Sequence, residues 1–273
     1  MSAPAAVDDL SRQVAEREQW YHTLELAPGV ETPGWFDLRK IAERMPIPSS
    51  LDGQRCLDVG TFDGFWAFEM ERRGGSEVLA IDILDPNRWD WPAEHDPEVL
   101  AAFVRRKGVG EGFEIAKAAL GSRVERRELS IYDLDPSDVG TFDVVYVGSL
   151  LLHLRDPVLA LERVRSVCGG TLVACDAIDA ARTRLHSRLP LAVLDGRGRP
   201  WWWKPNLAGF VRMVEAAGFT VEQPPVRLRM KPGAGQARPR PTARTLRTAQ
   251  GRTELANAWF GDPHAALVGR PAV

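Results

Sequence analysis

The segment from Cys56 to Trp66 constrains this chain more than any other. An apolar run there ends in Asp58, and two glycines, Gly60 and Gly64, follow four residues apart. A second apolar run then leads to Asp82. Glycines at a turn between a strand and a helix let the backbone approach a ligand closely, and an acid at the end of the next strand can accept hydrogen bonds from ribose hydroxyls. The pattern predicts an α/β protein with a nucleotide-type cofactor site.

The spacing of the glycines indicates which cofactor the turn suits. Dinucleotide sites use G-x-G-x-x-G to place a pyrophosphate at a helix N-terminus, and here Phe62 stands at the position of the second glycine. A nicotinamide oxidoreductase is therefore disfavoured, and an ordinary tight turn is the plain alternative. The pattern D-x-G-x-x-x-G resembles motif I of class I S-adenosylmethionine-dependent methyltransferases. The resemblance implies that Asp82 holds the ribose and that the methionine end is lined by Gly60, Thr61, Asp63 and Gly64.

Strands and helices alternate from Arg55 onward, which predicts a Rossmann-like parallel sheet with helices on both faces. Seven strands are expected, as in the methyltransferase sheet that the chain resembles. The predicted strands are 55–59, 77–82, 123–128, 142–147, 170–176, 218–221 and 265–269. The predicted helices are 63–73, 109–120, 157–167 and 205–217.

Two additions flank this pattern. Residues 1–50 combine helical patterning over 9–19 with an aromatic-rich segment broken by prolines and glycines, which predicts a cap and not part of the core. Residues 51–273 then form the predicted cofactor-binding domain. Within it, residues 231–252 are rich in Pro, Gly, Ala, Arg and Thr, which predicts a long basic loop between the last two strands.

Composition excludes several classes of protein. The chain has 273 residues, of which 44% are hydrophobic and 26% charged, as expected of a soluble globular protein. The N-terminus has neither a basic region nor a long apolar stretch, so we expect a cytoplasmic protein without a membrane span. Three cysteines without metal-type spacing predict neither zinc nor disulfides.

The net charge of −2 hides an uneven distribution of basic residues. A window after position 226 contains arginines and a lysine but no acid, and could therefore meet an anion. Its basic residues are Arg227, Arg229, Lys231, Arg238, Arg240, Arg244, Arg247 and Arg252.

A second informative block runs from Thr141 to Pro157. A buried strand leads into a loop with Gly148, Ser149 and His153, and an Asp-Pro pair then starts a helix. The block resembles methyltransferase motif IV with its LxHLxDP tail. His153 could accept a proton beside the methyl donor; alternatively it packs under the loop and hydrogen-bonds to backbone.

The chain from about residue 20 to 220 resembles the branch of this superfamily that contains the tRNA wobble-uridine carboxymethyl-transferring enzyme. The shared features are the Trp20 to Thr23 segment, the Pro33 to Asp37 box, motif I, the motif IV tail and an aromatic run before the last long helix. That enzyme has a tyrosine that helps bind its carboxylated donor where Leu152 stands here, and Leu cannot pair with an anion. The resemblance therefore implies S-adenosylmethionine as cofactor and plain methyl transfer as the reaction.

Three consecutive tryptophans, Trp201 to Trp203, cannot all point into one core, because neighbours in an extended segment face opposite sides. They could stabilise a cationic centre or a flat acceptor, or close the sheet edge as a hydrophobic plug. The candidate substrate-binding residues are Trp20, Trp201, Trp202, Trp203 and Lys204. The candidate bases are His153, His22, Glu25 and Tyr132. The candidate cofactor contacts are Tyr21, Trp35, Asp58, Gly60, Thr61, Asp63, Gly64, Asp82, Ile83, Ser130, Ile131, Gly148 and Ser149.

Three functions remain open from the sequence. The first is methyl transfer from S-adenosylmethionine to a small molecule with an aromatic, prenyl-like or anionic skeleton, needing little more than alignment of donor and acceptor. The second is modification of a tRNA nucleoside, which the family branch and the basic window favour. The third is a non-catalytic regulator that binds the cofactor, which the intact turn and Asp82 disfavour.

Overall fold

The computed structural model describes residues 3–17, 19–107 and 110–272. Its helices are α1 (Ala3–Glu16), α2 (Arg39–Ala42), α3 (Phe65–Arg72), α4 (Pro97–Lys107), α5 (Glu111–Leu120), α6 (Pro136–Val139), α7 (Pro157–Val167), α8 (Ala180–Leu185), α9 (Leu207–Ala216), α10 (Ala243–Arg247) and α11 (Ala249–Phe260). Its strands are β1 (Trp20–His22), β2 (Glu25–Ala27), β3 (Val30–Glu31), β4 (Gly34–Asp37), β5 (Arg55–Val59), β6 (Glu77–Asp82), β7 (Glu125–Glu128), β8 (Phe142–Gly148), β9 (Cys168–Ala177), β10 (Ala192–Leu194), β11 (Trp203–Pro205), β12 (Phe219–Val221), β13 (Val226–Pro232) and β14 (Asp262–Pro271).

The centre of the molecule is a parallel sheet, as the alternation of strands and helices predicts. In the described part of the chain the main sheet has ten strands, in the order β1-β4-β13-β14-β9-β8-β5-β6-β7 with β12 also paired to β14. Strands β9, β8, β5, β6 and β7 run parallel, and β14 runs antiparallel to β9. The Rossmann-like α/β fold is therefore confirmed.

The central strands are apolar on both faces because helices cover the sheet on both sides. In β5, Leu57 and Val59 pack into one core while Cys56 packs into the other. The alternation of side chains along a strand divides the apolar residues between these two cores.

The sheet has three strands more than the seven predicted. Strand β13 pairs with β14, and β4 and β1 continue the sheet beyond β13. The aromatic N-terminal segment is thus continuous with the sheet, which differs from the expected cap. Trp20 is 0% exposed, and its indole N–H donates to the Val14 carbonyl. A large apolar ring is more stable within a core than on a lid.

The expected basic loop at 231–252 is also different. Strand β13 extends to Pro232, and α10 and the first turn of α11 lie within the range. Thr242 begins α10 with a capping box closed by Thr245, and Thr248 caps α11. Threonine caps stabilise helix starts in a sequence without strong apolar periodicity.

Helix α4 was not expected from the sequence. Asp96 accepts a hydrogen bond from the Glu98 N–H, and Pro97 occupies the first helical position, which is favourable there. The helix ends with Arg106 and Lys107, whose side chains are both buried. Two cations are thus brought to the carboxyl ends of β5 and β6. No helix in the described ranges is long and apolar enough to cross a membrane.

Candidate functional site

Two loops meet at the carboxyl edge of the sheet, one after β5 and one after β8. They are neighbours because β5 pairs in parallel with β8. Among the described residues other than glycine, only Phe62 (φ 52°) and Ser149 (φ 50°) have positive φ, and each lies in one of these loops. Left-handed backbone is costly for such residues and concentrates at functional sites. Ligands of open α/β sheets also bind at this edge.

The turn after β5 is fixed to the end of β6. The Gly60 N–H donates to the Ile81 carbonyl at 2.9 Å, and the Phe62 N–H donates to Asp82 Oδ2 at 2.7 Å. Gly60 has φ 78°, and a Cβ there would lie 3.1 Å from the Leu150 side chain. The positive φ therefore favours glycine, and a larger residue would also require the Leu150 side chain to shift slightly.

Asp82 forms a buried ion pair that sequence reasoning missed. Its Oδ2 accepts from the Lys107 ammonium, and the Lys107 side chain is 1% exposed. The ammonium also lies 4.1 Å from the Phe62 ring centroid. Asp82 Oδ1 receives no hydrogen bond from the part of the chain that the structure describes. Because α4 was not predicted, no sequence signal connected Lys107 with Asp82.

Asp58, near the end of β5, connects the strand to the start of α3 across the turn. It is buried, its Oδ2 accepts from the Ala67 N–H at 3.1 Å, and burial raises the pKa of its carboxyl group to about 7. The carboxylate thereby fixes the first turn of α3. Thr61, which follows Gly60, is also buried, and a hydrogen bond from its side chain opposes part of the rise in the Asp58 pKa.

Asp63 and Gly64, which were predicted to line the methionine end of the cofactor, have close partners within the fold. Asp63 Oδ2 accepts from the N–H groups of Tyr21 at 2.6 Å and His22 at 3.2 Å, and burial raises its pKa. A Cβ on Gly64 would lie 2.4 Å from the Phe68 ring. Both residues therefore have structural roles: the Asp63 carboxylate binds the backbone of β1, and Gly64 leaves space for the Phe68 ring of α3.

The aromatic N-terminal segment stands against the motif I turn. Tyr21 stacks on Phe62 with ring centroids 4.5 Å apart and also meets Phe36 at 5.3 Å. Trp35 lies beneath Arg106, whose guanidinium carbon is 2.9 Å from the indole centroid. Tyr21 and Trp35, predicted cofactor contacts, therefore lie beside the turn.

His22 lies on the same strand, wholly inside the protein. Its Nδ1 is buried without a partner among the described residues, and burial lowers the pKa of its imidazole to about 3. A base of that pKa holds no proton near neutrality and accepts one weakly. The proposed role of His22 as a base is thus disfavoured.

Replacement of His22 should change the pH dependence of stability. The folded pKa of about 3 lies below the ordinary value of 6.5, so this group's contribution is complete above pH 6.5 and is lost as the pH falls towards 3. We expect His22→Phe to reduce the acid slope of the unfolding free energy by up to about 1.4 kcal/mol per pH unit. Urea unfolding between pH 4 and 8 measures it. Above pH 7 the unfolding free energies of the two proteins should depend on pH in the same way. An unchanged slope of this free energy below pH 6 in His22→Phe would contradict the assignment.

The loop after β8 contains a hydrogen-bonded chain that the sequence did not reveal. Ser149 Oγ lies 3.2 Å from His264 Nε2, and His264 Nδ1 lies 3.1 Å from the Asp262 carbonyl and 3.6 Å from its carboxylate. Because a carbonyl only accepts, Nδ1 carries the proton and Nε2 accepts from the Ser149 hydroxyl. Burial lowers the pKa of His264, as it does that of His22, but here the neighbouring Asp262 carboxylate opposes the shift.

Asp176 positions this loop. Its Oδ2 accepts from the Leu151 N–H and its Oδ1 from the Ala177 N–H, both at 2.7 Å. Burial raises the pKa of its carboxyl group to about 7. Asp176 thus fixes the backbone that follows Ser149, and nothing in its sequence context distinguished it from an ordinary strand end.

The predicted bases His153 and Tyr132 have structural partners. His153 Nδ1 donates to the Pro200 carbonyl at 2.6 Å, and burial lowers its pKa to about 4. The Tyr132 hydroxyl donates to Asp90 at 2.7 Å and accepts from the Asp156 N–H at 3.1 Å, while burial raises its pKa. His153 therefore matches the alternative of packing under its loop, and Tyr132 joins two loops.

The remaining predicted residues lie on several elements, some at this edge and some away from it. Glu25 is exposed on a hairpin that packs against α5, apart from the two loops. Ser130 caps a short 3-10 helix through the Tyr132 N–H, and Ile131 is buried behind it. Ile83 and Gly148 are half-buried at the ends of β6 and β8.

The tryptophan run lies half-buried beside the loop after β8, where the Trp202 N–H donates to the Leu152 carbonyl. The indole N–H groups of Trp202 and Trp203 donate to the carbonyls of Asp90 and Arg155 at 2.6 and 3.0 Å. Trp201 packs against Arg199, and Lys204 lies in β11. Trp20, a predicted substrate contact, is instead a core residue, because it has no exposed surface.

Several solved structures resemble this fold. The N-terminal domain of EvdMO1 with SAH bound is 17% identical with a TM-score of 0.56, and the match covers 97% of each chain. The same domain in the presence of SAH and D-fucose is 18% identical with a TM-score of 0.54, again over 97% of each chain. The complex of a Haloferax volcanii methyltransferase with its Trm112 activator is 16% identical with a TM-score of 0.50, over 98% of this chain and 96% of that one.

At these identities the likeness concerns the fold. The chain has a Rossmann-like α/β fold, which it shares with these proteins. No protein-family model and no curated protein matches the sequence.

Proposed function

We propose that this protein is an S-adenosylmethionine-dependent methyltransferase that acts on a small-molecule acceptor. The observation that carries the proposal is the meeting of the Gly60 turn, Asp82 and the strained Ser149 loop at one carboxyl edge of the sheet. The EvdMO1 domain and the Haloferax protein, which share the fold, support the same class.

The residues present suit the proposed cofactor. Asp82 would hold the ribose through Oδ1, which has no partner among the described residues, and the Gly60 turn would follow the amino-acid part. One buried polar atom without a partner in the described chain, Tyr146 Oη, lies beside Gly148 at the end of β8 and could serve a ligand. S-adenosylmethionine, when bound, supplies a methyl group on a positively charged sulfur.

The protein's own residues would then align the acceptor and take its proton. Holding reactants in near-attack geometry supplies up to about 7–11 kcal/mol of a barrier, so a strong base is not required. Ser149 faces the edge and donates to His264 Nε2, so a proton leaving an acceptor hydroxyl or amine can pass through Ser149 Oγ to His264. The Asp262 carboxylate, 3.6 Å from Nδ1, would stabilise the imidazolium formed.

The basic window also approaches His264. A cavity of about 230 Å³ is lined by His264, Arg227 and Arg229 together with apolar residues, and its lining includes no residue of the Gly60 turn or the Ser149 loop. Guanidinium groups bind carboxylate and phosphate with paired hydrogen bonds. The presence of D-fucose with a fold neighbour is a further argument for a small-molecule acceptor.

The basic window favours a second candidate, modification of a tRNA nucleoside. Strand β13 exposes Arg227 and Arg229, and no acid occurs between them and Arg252. An RNA partner would give binding that weakens steeply with salt, because neutralised phosphates release counterions. Salt-insensitive or absent binding of unmodified tRNA would exclude this candidate. A non-catalytic regulator would bind cofactor without turnover.

Calorimetry with S-adenosylhomocysteine tests the proposal. We expect one molecule to bind each chain and NADH to give no heat, because Phe62 prevents the dinucleotide turn. Labelled S-adenosylmethionine incubated with metabolite extracts should then transfer its methyl group to a small molecule identified by mass spectrometry. Absence of heat with both S-adenosyl compounds would overturn the proposal, and binding without transfer would leave the regulator.

A further inference from the structure

Arg106 is a buried cation at the end of α4. It is 6% exposed, and its Nε donates to Gln19 Oε1 at 3.3 Å. Its guanidinium lies over the Trp35 ring and approaches Phe103 at 5.4 Å. A guanidinium has five N–H donors, and one long hydrogen bond with contacts to two rings uses little of that hydrogen-bonding capacity.

No carboxylate of the described residues pairs with Arg106, in contrast to its cationic neighbours. Lys107 pairs with Asp82, Arg17 with Glu111 and Arg126 with Glu114. Burial lowers the pKa of Arg106 to about 10, so the group stays protonated at neutral pH. A buried charge without an opposite charge is costly, and such a cation is expected to have an anionic partner.

The surroundings of Arg106 place it beside the candidate cofactor turn. Trp35, on which it lies, belongs to β4, and β4 pairs with β1, whose Tyr21 stacks on Phe62. The end of α4 is held in place because Arg17 Nη2 donates to the Arg106 and Lys107 carbonyls at 3.0 and 3.2 Å. Arg17 Nε is itself a buried donor without a partner in the described chain. The backbone of Arg106 is thus held in place, and its guanidinium lies over Trp35, on the strand that pairs with the strand of Tyr21.

We propose that Arg106 binds a carboxylate of a ligand at this site. The inference rests on the proposed function and extends it, because it adds an anion subsite formed by Arg106 over Trp35. A guanidinium fits a carboxylate with two parallel hydrogen bonds and is prearranged here by its stacking. The carboxylate belongs either to the amino-acid part of the cofactor or to the acceptor.

Two ligands that differ in the carboxylate separate these sources. S-adenosylhomocysteine has an amino-acid tail, whereas 5′-methylthioadenosine retains the nucleoside and the sulfur without it. If Arg106 binds the tail, Arg106→Met should lower the affinity for S-adenosylhomocysteine at least tenfold and change the affinity for 5′-methylthioadenosine less than twofold. Calorimetry measures both affinities. Arg106→Lys, which keeps the charge but not the fork, should lie between. The control is Arg105→Met, since Arg105 is exposed one position earlier on the same helix.

If the acceptor supplies the carboxylate, a second arm detects it. Benzoate is titrated into protein saturated with 5′-methylthioadenosine, and Arg106→Met should abolish binding that the wild type shows. Equal weakening of both nucleosides, or no effect of Arg106→Met and Arg106→Lys in either arm, would overturn the carboxylate site. A wild type that binds neither nucleoside would instead remove the proposed function, so the two failures are distinguishable. Thermal unfolding confirms that each variant is folded.

Discussion

The Asp82→Asn/Lys107→Met double variant should fold as the wild type does and bind S-adenosylhomocysteine about a hundredfold more weakly. Hydrogen bonds from two ribose hydroxyls to a carboxylate contribute about 1.5–3 kcal/mol each, so losing their charge costs roughly 3 kcal/mol of binding. Asp82→Ala alone would leave the Lys107 ammonium, 1% exposed, without its partner. Such a change destabilises a protein by about 3–5 kcal/mol, so weaker binding could then reflect unfolding and not the loss of a ligand contact. Calorimetry and urea unfolding measure the two effects separately.

Lys107→Met and His153→Gln are the controls for this prediction. Lys107 binds Asp82 Oδ2, whereas the sugar would bind Oδ1, so Lys107→Met should leave S-adenosylhomocysteine affinity unchanged or increase it. His153 holds the Pro200 carbonyl, so His153→Gln should change affinity less than twofold. If the double variant binds as tightly as wild type, Asp82 is not the sugar ligand, and the turn must hold its ligand in another way.

The sheet could be predicted from the sequence where the strands are long and buried on both faces. Strands β5, β6, β8 and β9 are apolar runs between helices, and this alternation defines a parallel sheet. The strands that were missed are different in kind. β1 and β4 have three and four residues, and β13 alternates exposed basic residues with buried ones inside an arginine-rich stretch. Only Lys231 and Pro232 of this strand fall within the loop predicted for 231–252, and pairing with β14 defines the strand.

The site could be predicted only in part for a related reason. Gly60 and Asp82 are recognisable because local backbone geometry demands them, and both lie at the expected edge. Lys107, Arg106 and His264 act through tertiary contacts: His264 meets Ser149 across 115 residues, and the two cations arrive on a helix that lacks a strong sequence pattern. Asp63 was assigned to a ligand because its motif position suggested it. The structure shows that its carboxylate is used by the backbone of β1.

Asp63→Ala should detach β1 from the motif I turn and lower the unfolding free energy by about 2–5 kcal/mol. The carboxylate accepts from the N–H groups of Tyr21 and His22, and each buried donor left without a partner costs about 1–3 kcal/mol. The loss should be local first, because β1 is a short edge strand. Hydrogen exchange of the Tyr21 and His22 amides should therefore accelerate more than exchange in β5, and urea unfolding gives the total loss.

Asp63→Asn provides the matched comparison, because its amide oxygen can still accept from one or both N–H groups. We expect it to lose about half as much stability as Asp63→Ala, whereas Asp133→Ala, at an exposed position, should stay within about 0.5 kcal/mol of wild type. S-adenosylhomocysteine affinity should fall with β1 detachment, since Tyr21 lies against the turn. If both amides exchange in Asp63→Ala at the same rate as in the wild type, β1 is held by its pairing with β4 and not by the turn.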